Sequence, residues 1–329
     1  MQDIQAVSMS WRIARQLREP GWSGEVLAVH DRSCYLLGES SEIVAIIQLP
    51  LGNNPIGLLV PEVVGMFQEL STGASVLGTG DSLGLGEGLT IGLDRAALWD
   101  PKAYPGLPAD ENGLSRCVAE TYRAAVEFSP TTSLARLLPY LQDEDLPESL
   151  TGVTHFPRSH ALIGGLVEAL TARDKRRLKV VTASLAGLGP GLTPAGDDFL
   201  GGVMVALALA HEHRPDSAVA EIAGLVVETA APRTHEISRA YLRAAYAGEV
   251  SEGWHPLIRA ISSGDPTEIP PLTRTVMEYG ETSGADTLAG FLAGLGGVYR
   301  MSPPAWTPAM LSAIGTTPSD PPSVRPRNR

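Results

Sequence analysis

The sequence has few aromatic residues, only two cysteines and no excess of positive charge. Cys34 and Cys117 lie far apart, without the spacing of a metal site or a redox pair, so a disulfide scaffold is excluded and a reducing compartment is expected. The formal net charge of −12 provides no general electrostatic basis for binding nucleic acid or an anionic membrane. We therefore expect a cytoplasmic protein with neither type of partner.

Long hydrophobic runs are also lacking. The longest, residues 199–210 and 287–298, are about a dozen residues each, shorter than the roughly 18 residues that a membrane-spanning helix needs. The first residues show no apolar run behind a basic start, so neither a signal peptide nor an anchor is expected.

A chain of 329 residues is long enough for about two domains with cores of their own.

Two textures follow each other along the chain. Residues 24–93 contain short β-rich runs separated by turn residues, and alanine- and leucine-rich segments at helical spacing follow residue 101. The predicted fold class is α+β, with an N-terminal β-barrel or sandwich-like domain over residues 1–105 and an all-helical domain over residues 106–301. Residues 302–329 are rich in proline and predict a disordered tail.

Glycine is abundant, at 35 residues, and it is clustered. One cluster opens the stretch LAGLGPGLTPAGDDFLGG, where Gly187, Gly189 and Gly191 precede Thr193, a good N-cap, and Pro194, which suits the first helical position. A glycine loop before a helix N-terminus predicts a site for a small anion, and the alternative is a turn needed only for packing. The fingerprints of ATPases and dinucleotide-binding enzymes are absent.

A second glycine stretch, YGETSGADTLAGFLAGLGG, repeats the pattern 88 residues later. The offset aligns three pairs of residues, which are Gly196 with Gly284, Asp198 with Asp286, and Gly202 with Gly290. Residues four apart share a helix face, so each helix has a stripe of an acid followed by small residues. We therefore expect the two helices to cross closely, with their acidic N-terminal ends near one site.

Paired carboxylates beside glycine loops hold a divalent metal, act as general acid or base, or cap backbone N–H groups, and these alternatives stay open. Asp197 and Asp198 diverge by about 100° on a helix, so Asp198 is assigned to the site and Asp197 to a supporting role. Between the two stretches, Thr234 and Ser238 have the i, i+4 spacing of one helix face. They either point their hydroxyls into the same pocket or belong to a solvent-facing helix start.

The run GLGPGLTPAGDDFLGG, the T-x-x-x-S segment at 234–238 and SGADTLAG together resemble the AllH family. The resemblance extends to about residue 300 and includes NPIGLLV at 54–60 and ALWDP at 97–101. It implies a subunit of an oxamate carbamoyltransferase of allantoin and purine degradation, acting with FdrA-type and AllG-like subunits. In one departure, Glu281 stands where the family pattern often has histidine.

The resemblance and the residues together lead to one assignment of roles. The catalytic candidates are Asp198, Asp286 and Ser283, and the two aspartates are also the candidate ligands for a metal such as Mg²⁺. The candidates for binding a small anion, which is carbamoyl phosphate, oxamate or phosphate, are Gly187, Gly189, Gly191, Thr193, Gly196, Thr234, Ser238 and Gly284. The alternatives are a stand-alone metal-dependent hydrolase and a non-catalytic assembly subunit.

Overall fold

A computed structural model describes residues 2–102, 110–141 and 145–301. Within these ranges an N-terminal β region and a helical region each have a hydrophobic core. The first core lies inside the sheet and includes Ile46, Leu58 and Phe67, whereas the second lies among the helices and includes Phe199 and Phe291. Each region therefore buries apolar side chains on its own, as the hydrophobic effect requires of a stable unit.

Ten strands form one sheet among the described residues. They are β1 Gln2–Gln5, β2 Ser8–Ser10, β3 Ser23–Val29, β4 Ser33–Gly38, β5 Ile43–Gln48, β6 Gly57–Val60, β7 Ser75–Gly78, β8 Ser82–Leu85, β9 Leu89–Gly92 and β10 Ala97–Trp99. Their order in the sheet is β1-β9-β8-β7-β3-β4-β5-β6-β2-β10.

The N-terminal segment explains why this sheet curls. β1 pairs with β9 at one end of the sheet, and β2, only three residues further along the chain, pairs with β6 near the other end. Between them, Ala6 N–H donates to the carbonyl of Gly92 and Val7 N–H donates to the carbonyl of Leu59. One short segment thus bridges distant strands, and the sheet is bent into a half-barrel.

The helices follow, except that α1 lies within the β region. The α-helices are α1 Trp11–Leu17, α2 Glu111–Phe128, α3 Glu148–Thr151, α4 Phe156–Ala172, α5 Lys175–Leu185, α6 Ala195–His213, α7 Ser217–Ala230, α8 Glu236–Tyr246, α9 Trp254–Ser263, α10 Ile269–Met277 and α11 Ser283–Tyr299. Two 3₁₀ helices span Leu134–Tyr140 and Ala231–Arg233. Within the described residues, none of these helices has the length and apolarity to cross a membrane.

The predicted fold class is confirmed, with the half-barrel closer to the barrel alternative than to the sandwich. The boundary at residues 105 and 106 stays a prediction, because it lies outside the described residues, between the end of β10 and the start of α2. The predicted disordered tail at 302–329 also lies outside the described residues.

The predicted close crossing of α6 and α11 is present. A Cβ atom added at Gly202 would overlap the backbone carbonyl of Thr287, and one added at Gly290 would overlap the carbonyl of Phe199. Because Thr287 is the 88-residue equivalent of Phe199, the contact is reciprocal, as in a pseudo-two-fold arrangement. Small residues at the crossing allow the two backbones to touch, and this places both helix N-termini on the same side.

Candidate functional site

The glycine loop before α6 has a backbone that glycine accommodates best. Gly187, Gly189 and Gly191 have φ angles of +72°, +115° and +94°, in the region that residues with a Cβ rarely adopt. The loop is largely exposed, so its conformation leaves backbone groups within reach of solvent. The residue type at these three positions is therefore explained by backbone conformation.

The start of α6 differs from the sequence prediction. The helix begins at Ala195 with Pro194 as the residue before it, so Thr193 is not the N-cap and Pro194 is not the first helical residue. Gly196 N–H donates to the carbonyl of Leu188 at 2.8 Å, and the N–H groups of Asp197 and Asp198 both donate to Pro194. The first turn thus uses its own donors within the loop, which leaves fewer of them for an anion.

The Asp197 side chain supports the glycine loop, which agrees with the supporting role that the sequence predicted for it. It is buried, accepts a hydrogen bond from Gly187 N–H at 2.8 Å, and accepts another from the Thr234 hydroxyl. Thr234 has extended backbone before α8, so the prediction that it shares a helix face with Ser238 is wrong. Ser238, inside α8, nevertheless reaches the same loop, where its hydroxyl donates to the carbonyl of Leu192 at 3.4 Å.

Thr193 and Ser283 connect the starts of the two crossing helices. Their hydroxyl oxygens lie 3.1 Å apart, although the residues are 90 positions apart in the chain. Asp198 lies beside them and its Oδ2 is buried with no hydrogen-bond partner among the described residues. The structure therefore brings three of the candidate residues, Thr193, Asp198 and Ser283, close together.

The electrostatic environment keeps Asp198 protonated to higher pH than usual. Burial raises the pKa of Asp198 well above its ordinary value, and the neighbouring Asp286 carboxyl raises it further. The hydroxyls of Ser283 and Thr193 lower this pKa by a smaller amount. A neutral carboxyl is a hydrogen-bond donor, so Asp198 is suited to face an anion or to deliver a proton.

Asp286 has one oxygen committed to the fold. Its Oδ1 accepts hydrogen bonds from the Ser133 hydroxyl at 2.8 Å and from Leu134 N–H at 2.6 Å, and so caps the first 3₁₀ helix. Its buried Oδ2 has no hydrogen-bond partner among the described residues. Burial raises the pKa of Asp286 to about 6, against the lowering effect of the two capping donors. Capping therefore applies to one oxygen of Asp286 and leaves the other available.

The β region contributes polar residues that the sequence analysis missed. Asn54 Nδ2 donates to the hydroxyls of Tyr241 at 3.0 Å and Tyr279 at 3.4 Å, and these two hydroxyls lie 3.4 Å apart. Burial raises the pKa of Tyr35 and of Tyr279, and the charge of Asp198 raises both further. The site thus lies where the two regions meet. Asn54 belongs to the NPIGLLV segment, and the resemblance of that segment to the AllH family was the signal in the sequence that pointed to this part of the molecule.

Other predicted residues have packing roles. A Cβ atom at Gly196 would overlap the carbonyl of Leu185, and one at Gly284 would overlap the carbonyl of Val276. Glu281 is exposed, outside the buried part of the site. Glycine is therefore required two positions before Asp198 and two positions before Asp286. The N–H group of Gly196 is already used by the carbonyl of Leu188, so it is not free to bind a ligand.

The donor set for a metal is small. Within the described residues, no group of three or more histidine, cysteine, aspartate or glutamate side chains is arranged to hold a metal ion. The two unpartnered oxygens of Asp198 and Asp286 would have to be supplemented by water and substrate oxygens, as Mg²⁺ sites often are.

Comparison with known proteins agrees with this part of the chain. Residues 185–295 match the family model described as oxamate carbamoyltransferase subunit AllH, over about a third of the 329 residues. The match spans the glycine loop, both crossing helices up to Leu295, and the aspartates, and it confirms the resemblance that the motifs indicated. No solved structure matches the chain.

Proposed function

Because the chain is similar to the AllH family over residues 185–295, we propose that it is a subunit of an oxamate carbamoyltransferase-type complex. A small carbamoyl-bearing anion binds between the N-termini of α6 and α11, against the polar residues of the β region. FdrA-type and AllG-like chains are the proposed partners, and the cytoplasm of a cell that degrades allantoin and purines is the proposed location.

One observation carries this proposal. Asp198 combines a buried, unpartnered oxygen with a raised pKa, and it lies next to two hydroxyls, one from the loop before α6 and one from the first residue of α11. A purely structural carboxyl is ordinarily satisfied by donors, as Asp197 is by Gly187 and Thr234. A carboxyl with one unpartnered buried oxygen, in the segment that matches the family, is therefore the best candidate to meet a substrate.

The reaction needs a proton donor at this point. When a phosphate oxygen attacks the carbamoyl carbon of carbamoylated oxamate, the bond from that carbon to the oxamate nitrogen breaks and the nitrogen takes up a proton. Protonated Asp198 supplies that proton as a general acid and recovers it in the reverse direction. The hydroxyls of Thr193 and Ser283 donate to the oxygen that becomes negative in the addition intermediate.

The remaining residues orient the anion. The donors of the first α6 turn are used internally, so the anion binds to the backbone of the exposed Gly191 and the half-buried Gly189 and not to the helix end itself. Thr234 and Ser238 hold the loop through Asp197 and Leu192. If Mg²⁺ accompanies the phosphate, the unpartnered oxygen of Asp286 would hold it together with water and phosphate oxygens, while Asp198 keeps its proton, and the ion would neutralise phosphate charge.

The test replaces the proposed acid in the reconstituted complex. Asp198→Asn keeps the shape of the side chain but cannot donate a carboxyl proton, so we expect the complex to assemble and carbamoyl transfer to fall by about 100-fold or more. The control is Asp94→Asn, which changes an exposed carboxyl in the β region and should leave the rate unchanged. Assembly is followed by size-exclusion chromatography and the rate by formation of carbamoyl phosphate.

Each alternative gives a different result in the same experiment. Full activity of a complex that contains Asp198→Asn would assign the chain a role in assembly alone. Activity of the isolated chain that a chelator abolishes, with loss in both Asp198→Asn and Asp286→Asn, would instead establish a metal-dependent hydrolase. Either outcome would overturn the proposal that Asp198 acts as the acid of a carbamoyl transfer.

A further inference from the structure

A cleft of about 590 Å³ lies between α7 and α8, and none of its lining residues is a candidate of the proposed carbamoyl site. Arg239, Arg243 and Tyr246 line it from α8, at i, i+4 and i+7, and therefore from one face of that helix. Gly224 of α7 lies opposite, where a Cβ atom would come within 3.7 Å of the Tyr246 hydroxyl. The volume is in the range of small-molecule sites.

The two arginines have no carboxylate within ion-pair distance among the described residues. Both cations face one cleft of a chain whose net charge is −12. Glu228 also lines the cleft, but it lies beyond 4 Å of both guanidinium groups. The positive charges are therefore left to interact with a ligand from solution.

Arg239 is held in place before any ligand binds. Its Nε donates to the carbonyl of Ala231 at 2.8 Å and one terminal nitrogen donates to the carbonyl of Thr234 at 3.2 Å. The guanidinium is half-buried, so its orientation is fixed while other N–H groups remain for a partner. A pre-oriented guanidinium loses less conformational entropy on binding than a free one.

We propose that this cleft binds a small dianion, with Arg239 and Arg243 as the charged ligands and the Tyr246 hydroxyl as a further donor. A guanidinium matches the oxygens of phosphate and of carboxylate in the same bidentate manner, so a phosphate group and a dicarboxylate share the required chemistry. The site is separate from the proposed carbamoyl site and does not rest on that function.

The test measures binding of inorganic phosphate and of succinate to the full chain by titration calorimetry. For the preferred dianion, we expect Arg239→Gln with Arg243→Gln to weaken binding by about tenfold or more, since two charge-assisted contacts are lost. Arg176→Gln with Lys179→Gln removes the same charge from exposed positions of α5 and should leave the affinity unchanged. Because phosphate is also a proposed ligand of the carbamoyl site, the dianion whose binding the α8 double variant weakens identifies the type of ligand of this cleft.

Two single variants keep the test independent of folding. Arg243→Gln breaks no hydrogen bond that the structure gives to the backbone, so it should weaken binding while circular dichroism stays unchanged. Glu228→Gln removes the negative charge from the cleft and should tighten binding by about twofold or more. Absence of dianion binding, or equal affinities in wild type and in the α8 double variant, would overturn the proposal.

Discussion

Asp286 is a buried carboxyl whose ionisation should be visible in the stability of the protein. Its pKa of about 6 lies above the ordinary value of 3.8, so between these pH values the folded state keeps a proton that the unfolded state releases. The free energy of unfolding therefore falls as pH rises through this window, by about 3 kcal/mol for this group. Above pH 6 both states are ionised and the loss is complete.

Asp286→Asn should remove this pH dependence while the amide oxygen still accepts from Ser133 and Leu134. The measurement is urea unfolding of wild type and variant at pH 4 and pH 7. The predicted quantity is the difference between the two proteins in how their free energy of unfolding changes with pH, because the contributions of other titrating groups cancel in that difference. Because Asp198 interacts with Asp286, the comparison is repeated in an Asp198→Asn background. An equal change of stability with pH in wild type and variant would contradict the raised pKa.

Asp198 shows what single residues reveal before the fold is known. It could be selected as a candidate because an aspartate recurs at the same position of two glycine-rich stretches. The contacts of Thr193 and Asp286 could not be predicted, because an N-cap preference is local, whereas the Thr193 to Ser283 contact and the Asp286 cap on Leu134 join residues 90 and 152 positions apart. Tertiary contacts outweighed the local preference at both positions.

At the scale of elements, the crossing of α6 and α11 sets the distance between the two halves of the site. Gly202→Ala would drive a Cβ into the carbonyl of Thr287, an obstruction that no side-chain rotation relieves. Overpacking typically costs about 1–3 kcal/mol where side chains can move, so we expect a loss of more than about 3 kcal/mol in urea unfolding.

Gly201→Ala is the matched control for this substitution. The neighbouring glycine is in the same helix, and a Cβ there meets nothing within 4 Å. Alanine favours helix more than glycine does, so this variant should gain up to about 1 kcal/mol. Equal effects of the two substitutions would show that helix propensity, and not the crossing, decides the requirement for glycine at residue 202.

The crossing was predictable because close backbone approach leaves a periodic trace of small residues. The hydrogen bonding of the first turn of α6 was less predictable. Its N–H groups donate to the carbonyls of Leu188 and Pro194. The direction of these carbonyls depends on the path of the loop and not on residue type. A glycine-rich sequence before a helix therefore indicates an unusual backbone, and the structure is needed to decide which of its N–H groups remain available.

At the scale of the whole molecule, one side of the candidate site is formed where the β region packs against the helices. Asn54 meets Tyr241 and Tyr279 across 187 and 225 residues of sequence, and no local pattern records such a contact. The adjacent Asn53 is held by Glu252 through two hydrogen bonds of 2.9 Å. The sequence could predict two regions, but the geometry between them depends on these contacts.

The ion pair between Arg12 of α1 and Glu249, which follows α8, provides a test of this coupling. Glu249 is 6% exposed and Arg12 is 34% exposed, so the pair is partly shielded from water. Glu249→Gln leaves the Arg12 charge without its partner, and we expect a loss of about 1–2 kcal/mol, between the values for surface pairs and buried pairs. Glu221→Gln, which breaks the exposed pair with Lys175, should change stability by less than about 0.5 kcal/mol.

Two probes of urea unfolding show whether the regions unfold together. Far-UV circular dichroism follows mainly the helices, and tryptophan fluorescence adds a signal that includes Trp11, Trp22 and Trp99 of the β region beside Trp254 of α9. We expect coincident transitions in wild type, because the contacts at Asn53, Asn54 and Glu249 link the two regions, and an earlier midpoint in Glu249→Gln. If the wild-type transitions separate and Glu249→Gln moves neither, these contacts do not hold the two regions together.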